Sequence, residues 1–202
     1  MDNTLAILKT LAQDFPNRGG FNKAVAANFR KVGQGDFRLV FDAGDVVFKI
    51  RRANPKRDSA FPMSQINSSN RDEAAAYKKL LKSNPDLATF VLKPTLVKLP
   101  NRHDVVMMEK VKVWSSLNCN ARCEVEENDN YLHDQIQVIQ TSFRDAHDNN
   151  VGIKGDRAYL IDFNLANLWN QDEADEEFRN GVLRRMRERE KNGKLLTMKA
   201  AA

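Results

Sequence analysis

Phe143-Arg144-Asp145-Ala146-His147-Asp148-Asn149-Asn150-Val151-Gly152-Ile153-Lys154-Gly155-Asp156-Arg157-Ala158-Tyr159-Leu160-Ile161-Asp162-Phe163-Asn164 is the stretch whose reading decides the fold. Two short apolar runs, Val151–Ile153 and Ala158–Ile161, flank the polar, glycine-containing Lys154-Gly155-Asp156-Arg157, and this pattern predicts a β-hairpin. Asp145 and Asn150 stand at its entrance and Asp162 at its exit. The two ends of a hairpin are close in space, so Asn150 and Asp162 can converge on one cation. An amide and a carboxylate form the kind of oxygen site that magnesium takes when phosphates supply its remaining ligands. The plain alternative is a surface hairpin with Asp and Asn in its turns.

Upstream, Tyr131–Phe143 places Leu132, Ile136, Ile139 and Phe143 on one helical stripe and delivers the chain to this loop. Near the N-terminus, Leu5, Leu8, Leu11 and Phe15 share helical spacing, with Pro16 and Gly19-Gly20 as the expected stop. A second short helix is expected over Asn22–Phe29. Together they form a brace for the segments downstream.

From Arg30 the pattern changes to strands. Gly33 and Gly35 lie one residue apart, which lets backbone N–H groups approach phosphate oxygens without Cβ clashes. Lys49 closes the next strand among Val46, Val47, Phe48 and Ile50; it either faces water from an edge strand or points inward and needs an anionic partner. Asn70–Leu81 has the alanine content of a strong helix, and its Asn70–Glu73 spacing is that of a capping box. Glu73 is thus either a cap or the acidic partner of Lys49, with Asp72 in reserve. Phe90–Leu92 and Leu96–Leu99 read as one strand interrupted by Pro94, and Val105–Met108 as its return. The sum is a five-stranded antiparallel sheet carrying one major helix.

Size and charge narrow the classes. A chain of 202 residues has length for one domain or two small lobes, and no apolar run approaches the roughly 18 residues of a membrane span. The N-terminal Met-Asp-Asn-Thr-Leu lacks the basic and apolar regions of a signal peptide, so a cytoplasmic location is expected, with no membrane partner. Cys119 and Cys123, four apart, read as plain side chains rather than a disulfide or zinc site. The net charge of +5 suits a protein handling phosphate or an acidic partner. The basic stretch Phe178–Lys191 reads as a solvated helical face, with RNA or partner docking as the alternative. The polar segment Arg51–Asn70 reads as a solvated linker, with a substrate-docking flap or an autophosphorylation segment as the alternatives.

The order of these elements resembles that of protein kinases. Their catalytic loop H-R-D-L-x-x-x-N is followed by a hairpin and D-F-G; here Asp145 to Asn150 keeps the interval and Asp162-Phe163-Asn164 stands in the second position. The string Asp145-x-His147-x-x-Asn150 looks like aminoglycoside and choline phosphotransferases, and like the small early serine/threonine kinases of short-tailed bacteriophages. The likeness to the phage kinases extends to Gly33-x-Gly35-x-Phe37 and to Ser142-Phe143. The resemblance covers roughly residues 29–165. It departs at Phe143 for the histidine of H-R-D, Arg38 for the third glycine of G-x-G-x-x-G, Asn164 for the glycine of D-F-G, and in the missing A-P-E segment; Arg38 implies either a stiffer loop or a contact of its own with phosphate or substrate.

This resemblance implies an α+β, two-lobed protein-kinase-like fold: an N-lobe over residues 1–110 and a truncated, mostly helical C-lobe over 111–202. It implies ATP and Mg2+ as cofactors. Gly33, Gly35, Val40, Lys49, Met108 and Glu109 would bind the nucleotide, with Glu73 holding Lys49. Asn150 and Asp162 would hold the metal, Asp145 would take the acceptor's proton, and His147 would neutralise the γ-phosphate if protonated. The expected activity is transfer to serine or threonine of host proteins in the host cytoplasm. The alternatives are a small-molecule phosphotransferase, or a non-catalytic kinase-like binder of a host protein or RNA.

Overall fold

The computed structural model describes residues 2–53, 63–117, 130–163 and 173–200. Two compact units emerge: Met1–Lys82 with Leu92–Lys110, and Ser83–Val91 with Val111–Ala202. The class is α+β, and the first unit contains the expected five-stranded antiparallel sheet with one long helix.

In the first unit, α1 (Asp2–Asp14) and α2 (Arg18–Asn28) precede β1 (Arg30–Gln34), β2 (Arg38–Asp42) and β3 (Val46–Arg51). Then come α3 (Met63–Ser83), β4 (Thr95–Lys98) and β5 (Asp104–Glu109), and the sheet order is β1-β2-β3-β5-β4. Strand alternation sorts the side chains into two sets. Leu39, Phe41, Phe48, Ile50, Val97, Val105 and Met107 pack with Leu8, Ala12, Phe21 and Val25 of α1 and α2 in one apolar core. Each Val, Leu, Ile, Phe or Met side chain of this set, once fully buried, contributes on the order of 1.5–3 kcal/mol. The other set holds Val40, Lys49, Val106 and Met108, aligned by the pairs Val40↔Lys49, Lys49↔Val106 and Val47↔Met108.

Three local expectations change. Gly19 and Gly20 lie inside α2, because Asn17 accepts from the Gly20 N–H at 2.7 Å and starts the helix there; first-turn N–H groups lack helical partners, so such a cap is effective. Helix α3 begins at Met63, which makes Asn70 an interior residue rather than a cap. Finally, β4 is confined to Thr95–Lys98. Phe90 and Val91 instead meet Leu160 of the second unit: the Leu160 N–H donates to the Phe90 carbonyl at 2.7 Å and Val91 forms a parallel bridge. Pro94 has no N–H to continue a ladder between the two segments.

His103 ties α1 to the sheet. Its ring stacks on Phe21 with centroids 4.3 Å apart, and Nε2 lies 3.1 Å from the Phe15 carbonyl. Burial is the main influence holding its pKa below the ordinary 6.5; nearby Arg51 and Arg18 act the same way, and the Phe15 contact opposes them. As pH falls below 6.5 the unfolded chain takes up a proton that the folded chain resists, so stability falls with pH. The slope is at most about 1.4 kcal/mol per pH unit. Urea midpoints between pH 7 and pH 5 should therefore drop in the wild type and stay flatter in His103→Gln.

The second unit contains α4 (Pro85–Ala88), β6 (Lys112–Val113), α5 (Asn130–Ser142), β7 (Val151–Lys154), β8 (Arg157–Leu160) and α6 (Glu173–Ala200). The β7–β8 hairpin forms as the sequence predicts, with Gly155 supplying the turn's positive φ of 58°. A third strand, β6, pairs with β7. Gly152 permits this packing: a Cβ there would collide with Val111 Cγ2 and lie 2.8 Å from Ile161 Cγ2. Gly152→Ala should lower the unit's stability by about 1–3 kcal/mol. Adding Val111→Ala should recover part of the loss, read as a shift in the denaturation midpoint.

Helix α6 buries Val182, Leu183 and Met186. Three of its arginines make contacts inside the unit. Arg185 reaches Asp134, Arg187 reaches Asp86, and the Arg189 guanidinium lies 3.9 Å from the Tyr131 ring centroid. Cys119, Cys123 and Asn164 lie outside the described residues, as do residues 54–62 of the expected linker, whose last residues, 63–70, are helical instead. No helix among the described residues is long and apolar enough to cross a membrane.

Candidate functional site

In the first unit the inward-pointing lysine finds its anion. Lys49 Nζ donates to Glu73 Oε1 at 2.8 Å, and both residues are buried. β3 presents Lys49 on the side opposite Phe48 and Ile50, and α3 brings Glu73 to it. Burying two charges is tolerable only when they are paired and hydrogen-bonded, which this geometry satisfies. Asn70, one turn before Glu73, donates to the Asp104 carbonyl at 3.0 Å and to Asp104 Oδ1 at 2.9 Å. Asp104 Oδ1 also holds Arg51 Nε at 3.1 Å. Helix and sheet are thus pinned to each other by polar contacts beside the Lys49 pair, with Asn70 as anchor rather than cap.

The glycine turn sits between β1 and β2. The Gly35 N–H donates to the Arg38 carbonyl at 2.9 Å, the Arg52 N–H to the Phe37 carbonyl at 2.8 Å, and Arg52 Nη1 to the Gly35 carbonyl at 3.0 Å. The Gly35 N–H therefore closes the turn itself. A Cβ on Gly35 would meet nothing within 4 Å, and one on Gly33 would make ordinary contact with Val40. Neither glycine has a positive φ. Nothing in the turn's own packing demands glycine at either position. Val40 and Met108 share the sheet side of Lys49, while Glu109 ends β5 in an exposed position.

In the second unit the loop between α5 and β7 is held by its own backbone. The Asn150 N–H donates to the His147 carbonyl at 2.7 Å, and Asn150 Nδ2 to the Asp145 carbonyl at 3.0 Å. That second bond turns the amide nitrogen inward and leaves Oδ1 as the acceptor or ligand atom. The Ile161 N–H donates to the Asn150 carbonyl at 2.8 Å, extending the ladder and setting Asp162 next in line. Phe143 and Phe163 are buried edge to face, with centroids 5.6 Å apart, beneath the ends of this segment. Asp145 is exposed, and His147 Nε2 lies 3.6 Å from its Oδ1. The Asn149 N–H donates to His147 Nδ1 at 3.2 Å, so a neutral ring carries its proton on Nε2, toward Asp145.

Among the described residues no three His, Cys, Asp or Glu side chains cluster as a metal site. Asn150 and Asp162 offer a partial set of oxygens. This fits magnesium, which keeps waters and takes phosphate oxygens beside one or two protein ligands. Sequence reasoning names Lys49, Glu73, Asp145, His147, Asn150 and Asp162 as candidates, and the structure pairs Lys49 with Glu73 and sets His147 beside Asp145. Sequence reasoning missed three contacts: Arg38 with the second oxygen of Glu73, Asn70 with Asp104, and Arg51 with Asp104. The available signal was period-two alternation, which puts Arg38 and Arg51 in register with each other and on the Lys49 side.

No protein-family model matches the chain, and no curated protein does. Among solved structures it is similar to the apo form of PpkA-294, at 14% identity and TM-score 0.41, over 66% of this chain and 56% of that one. It is also similar to the bifunctional kinase-methyltransferase WbdD, at 18% identity and TM-score 0.37, over 72% of this chain and 34% of that one. A third similarity is to the Rio2 kinase–ADP/Mg2+–phosphoaspartate complex from Chaetomium thermophilum, at 12% identity and TM-score 0.39, over 83% of this chain and 58% of that one. The chain spans less than two thirds of the length of each of these proteins.

Proposed function

We propose that the chain is an ATP- and magnesium-dependent phosphotransferase that modifies serine or threonine hydroxyls of proteins, of the small phage type that acts on host proteins. The observation that carries this reading is the buried Lys49–Glu73 pair at 2.8 Å, on the same sheet side as Val40 and Met108. A lysine held this way presents a fixed ammonium to α- and β-phosphate oxygens. The turn of Gly33 and Gly35 covers the phosphates. Magnesium, when bound, neutralises the phosphate charge; Asn150 Oδ1 and the Asp162 carboxylate would hold it.

Asp145 orients the acceptor hydroxyl. Its oxygen bonds to the γ-phosphorus as the bond to the ADP oxygen breaks, and the hydroxyl proton passes to the Asp145 carboxylate. His147, with Nε2 toward that carboxylate, steadies it and is placed to meet negative charge beside it. The experiment is incubation with γ-labelled ATP and magnesium, with and without cell lysate. Label on protein serine or threonine supports the reading. Absence of any nucleotide effect on thermal stability and of any transfer would remove it.

The Asp145–His147 contact within Asp-x-His-x-x-Asn also favours a second reading, transfer to a small hydroxylated molecule. Label appearing only in the low-molecular-mass fraction would select that outcome. ATP-induced stabilisation without transfer would select a non-catalytic binder.

A further inference from the structure

Arg38 is a largely buried cation that the phosphotransfer mechanism leaves unused. It occupies the position where a third glycine would complete the G-x-G-x-x-G pattern, yet it is not a passive replacement. Its side chain is largely buried, and its Nη1 donates to Glu73 Oε2 while Lys49 Nζ donates to Oε1. Its carbonyl accepts the Gly35 N–H at 2.9 Å. One residue therefore grips the glycine turn with its backbone and the lysine's carboxylate partner with its side chain. Alternation along β2 makes this possible: Arg38 and Val40 lie on the sheet side opposite Leu39 and Phe41, which belong to the apolar core.

A carboxylate held at both oxygens has its plane fixed, whereas one held at a single oxygen keeps a rotation about its terminal bond. Fixing the plane of Glu73 fixes where Lys49 Nζ sits, and the same residue fixes the height of the turn above it. We propose that Arg38 is a positioning residue that couples the glycine turn to the Lys49–Glu73 pair, so that both phosphate-binding elements are set together before nucleotide arrives. This rests on the phosphotransferase reading and adds to it a second basic partner for Glu73. The benefit is preorganisation: the rotamer freedom that nucleotide binding would otherwise have to remove is already gone.

The test measures Mg–ATP affinity by calorimetry, with the thermal midpoint of the nucleotide-free protein, in wild type, Arg38→Gly, Arg38→Met, Arg38→Lys, Glu73→Gln and the Arg38→Met/Glu73→Gln double variant. Arg38→Met retains the apolar stem and carries the test if the glycine variant does not fold. Arg38→Met and Glu73→Gln should each weaken binding about tenfold, and the double variant no more than about twofold beyond either, because both break one coupled unit. Arg38→Lys should recover most of the loss, since an ammonium can still reach Oε2. Unchanged affinity in Arg38→Met, or losses that multiply in the double variant, would overturn the coupling while leaving the phosphotransferase reading standing. Wild-type protein that binds no nucleotide would remove both together.

Discussion

An Asp145→Asn protein should fold and bind Mg–ATP as the wild type does, while phosphoryl transfer falls by about a hundredfold to ten-thousandfold. The two halves of that expectation come from different atoms of one residue. The backbone carbonyl of Asp145 holds Asn150 Nδ2 at 3.0 Å, and asparagine keeps it. The side chain is exposed and faces His147 Nε2 at 3.6 Å, too long for a strong hydrogen bond. Removing one exposed charge there changes stability within about 0.5 kcal/mol. Asparagine cannot, however, accept the hydroxyl proton as the bond to phosphorus forms. Single-turnover transfer and calorimetric binding on the same preparations separate the two effects. Parallel loss of binding and transfer would mean that Asp145 shapes the site rather than taking the proton.

This residue's surroundings also illustrate how far the sequence could be read. The β7–β8 hairpin was legible because apolar runs, turn chemistry and interval all agree locally. Lys49 and Glu73 were legible as a pair only as one of two readings. Each has a sound local explanation, an edge-strand lysine and a capping box, and 24 residues separate them. The capping reading failed for a reason outside the local pattern: α3 continues seven residues upstream of Asn70 to Met63, so no helix start exists there to cap. Arg38 was harder still. Its partner lies 35 residues away, and the motif registers it as a replaced glycine that stiffens the turn or meets phosphate or substrate, not as a partner of Glu73. Likewise Phe90–Val91 looked like strand material for the nearest sheet and was taken by Leu160, nearly seventy residues on. Local chemistry predicts elements; partners across the chain are chosen by burial, which local pattern does not encode.

Glu73→Ala should be the most damaging single change in the first unit. The variant withdraws one carboxylate from two cations at once, the buried Lys49 and the largely buried Arg38. Breaking a buried ion pair from one side costs about 3–5 kcal/mol, because the stranded charge keeps its desolvation penalty. Against a typical total of about 5–15 kcal/mol, that leaves a marginal unit whose urea midpoint falls sharply. Glu73→Gln should be milder, since its amide oxygen still accepts a hydrogen bond although the charge is gone. The decisive variant is Arg38→Met/Lys49→Met/Glu73→Leu, which replaces the whole cluster with apolar side chains of similar length. Such replacements are often neutral or stabilising. Its midpoint should return to near or above the wild-type value while Mg–ATP affinity and transfer stay lost. A stable triple variant without nucleotide binding would show that the charges are kept for the phosphates and not for the fold. A triple variant as unstable as Glu73→Ala would mean that this side of the sheet depends on the ion cluster for its packing.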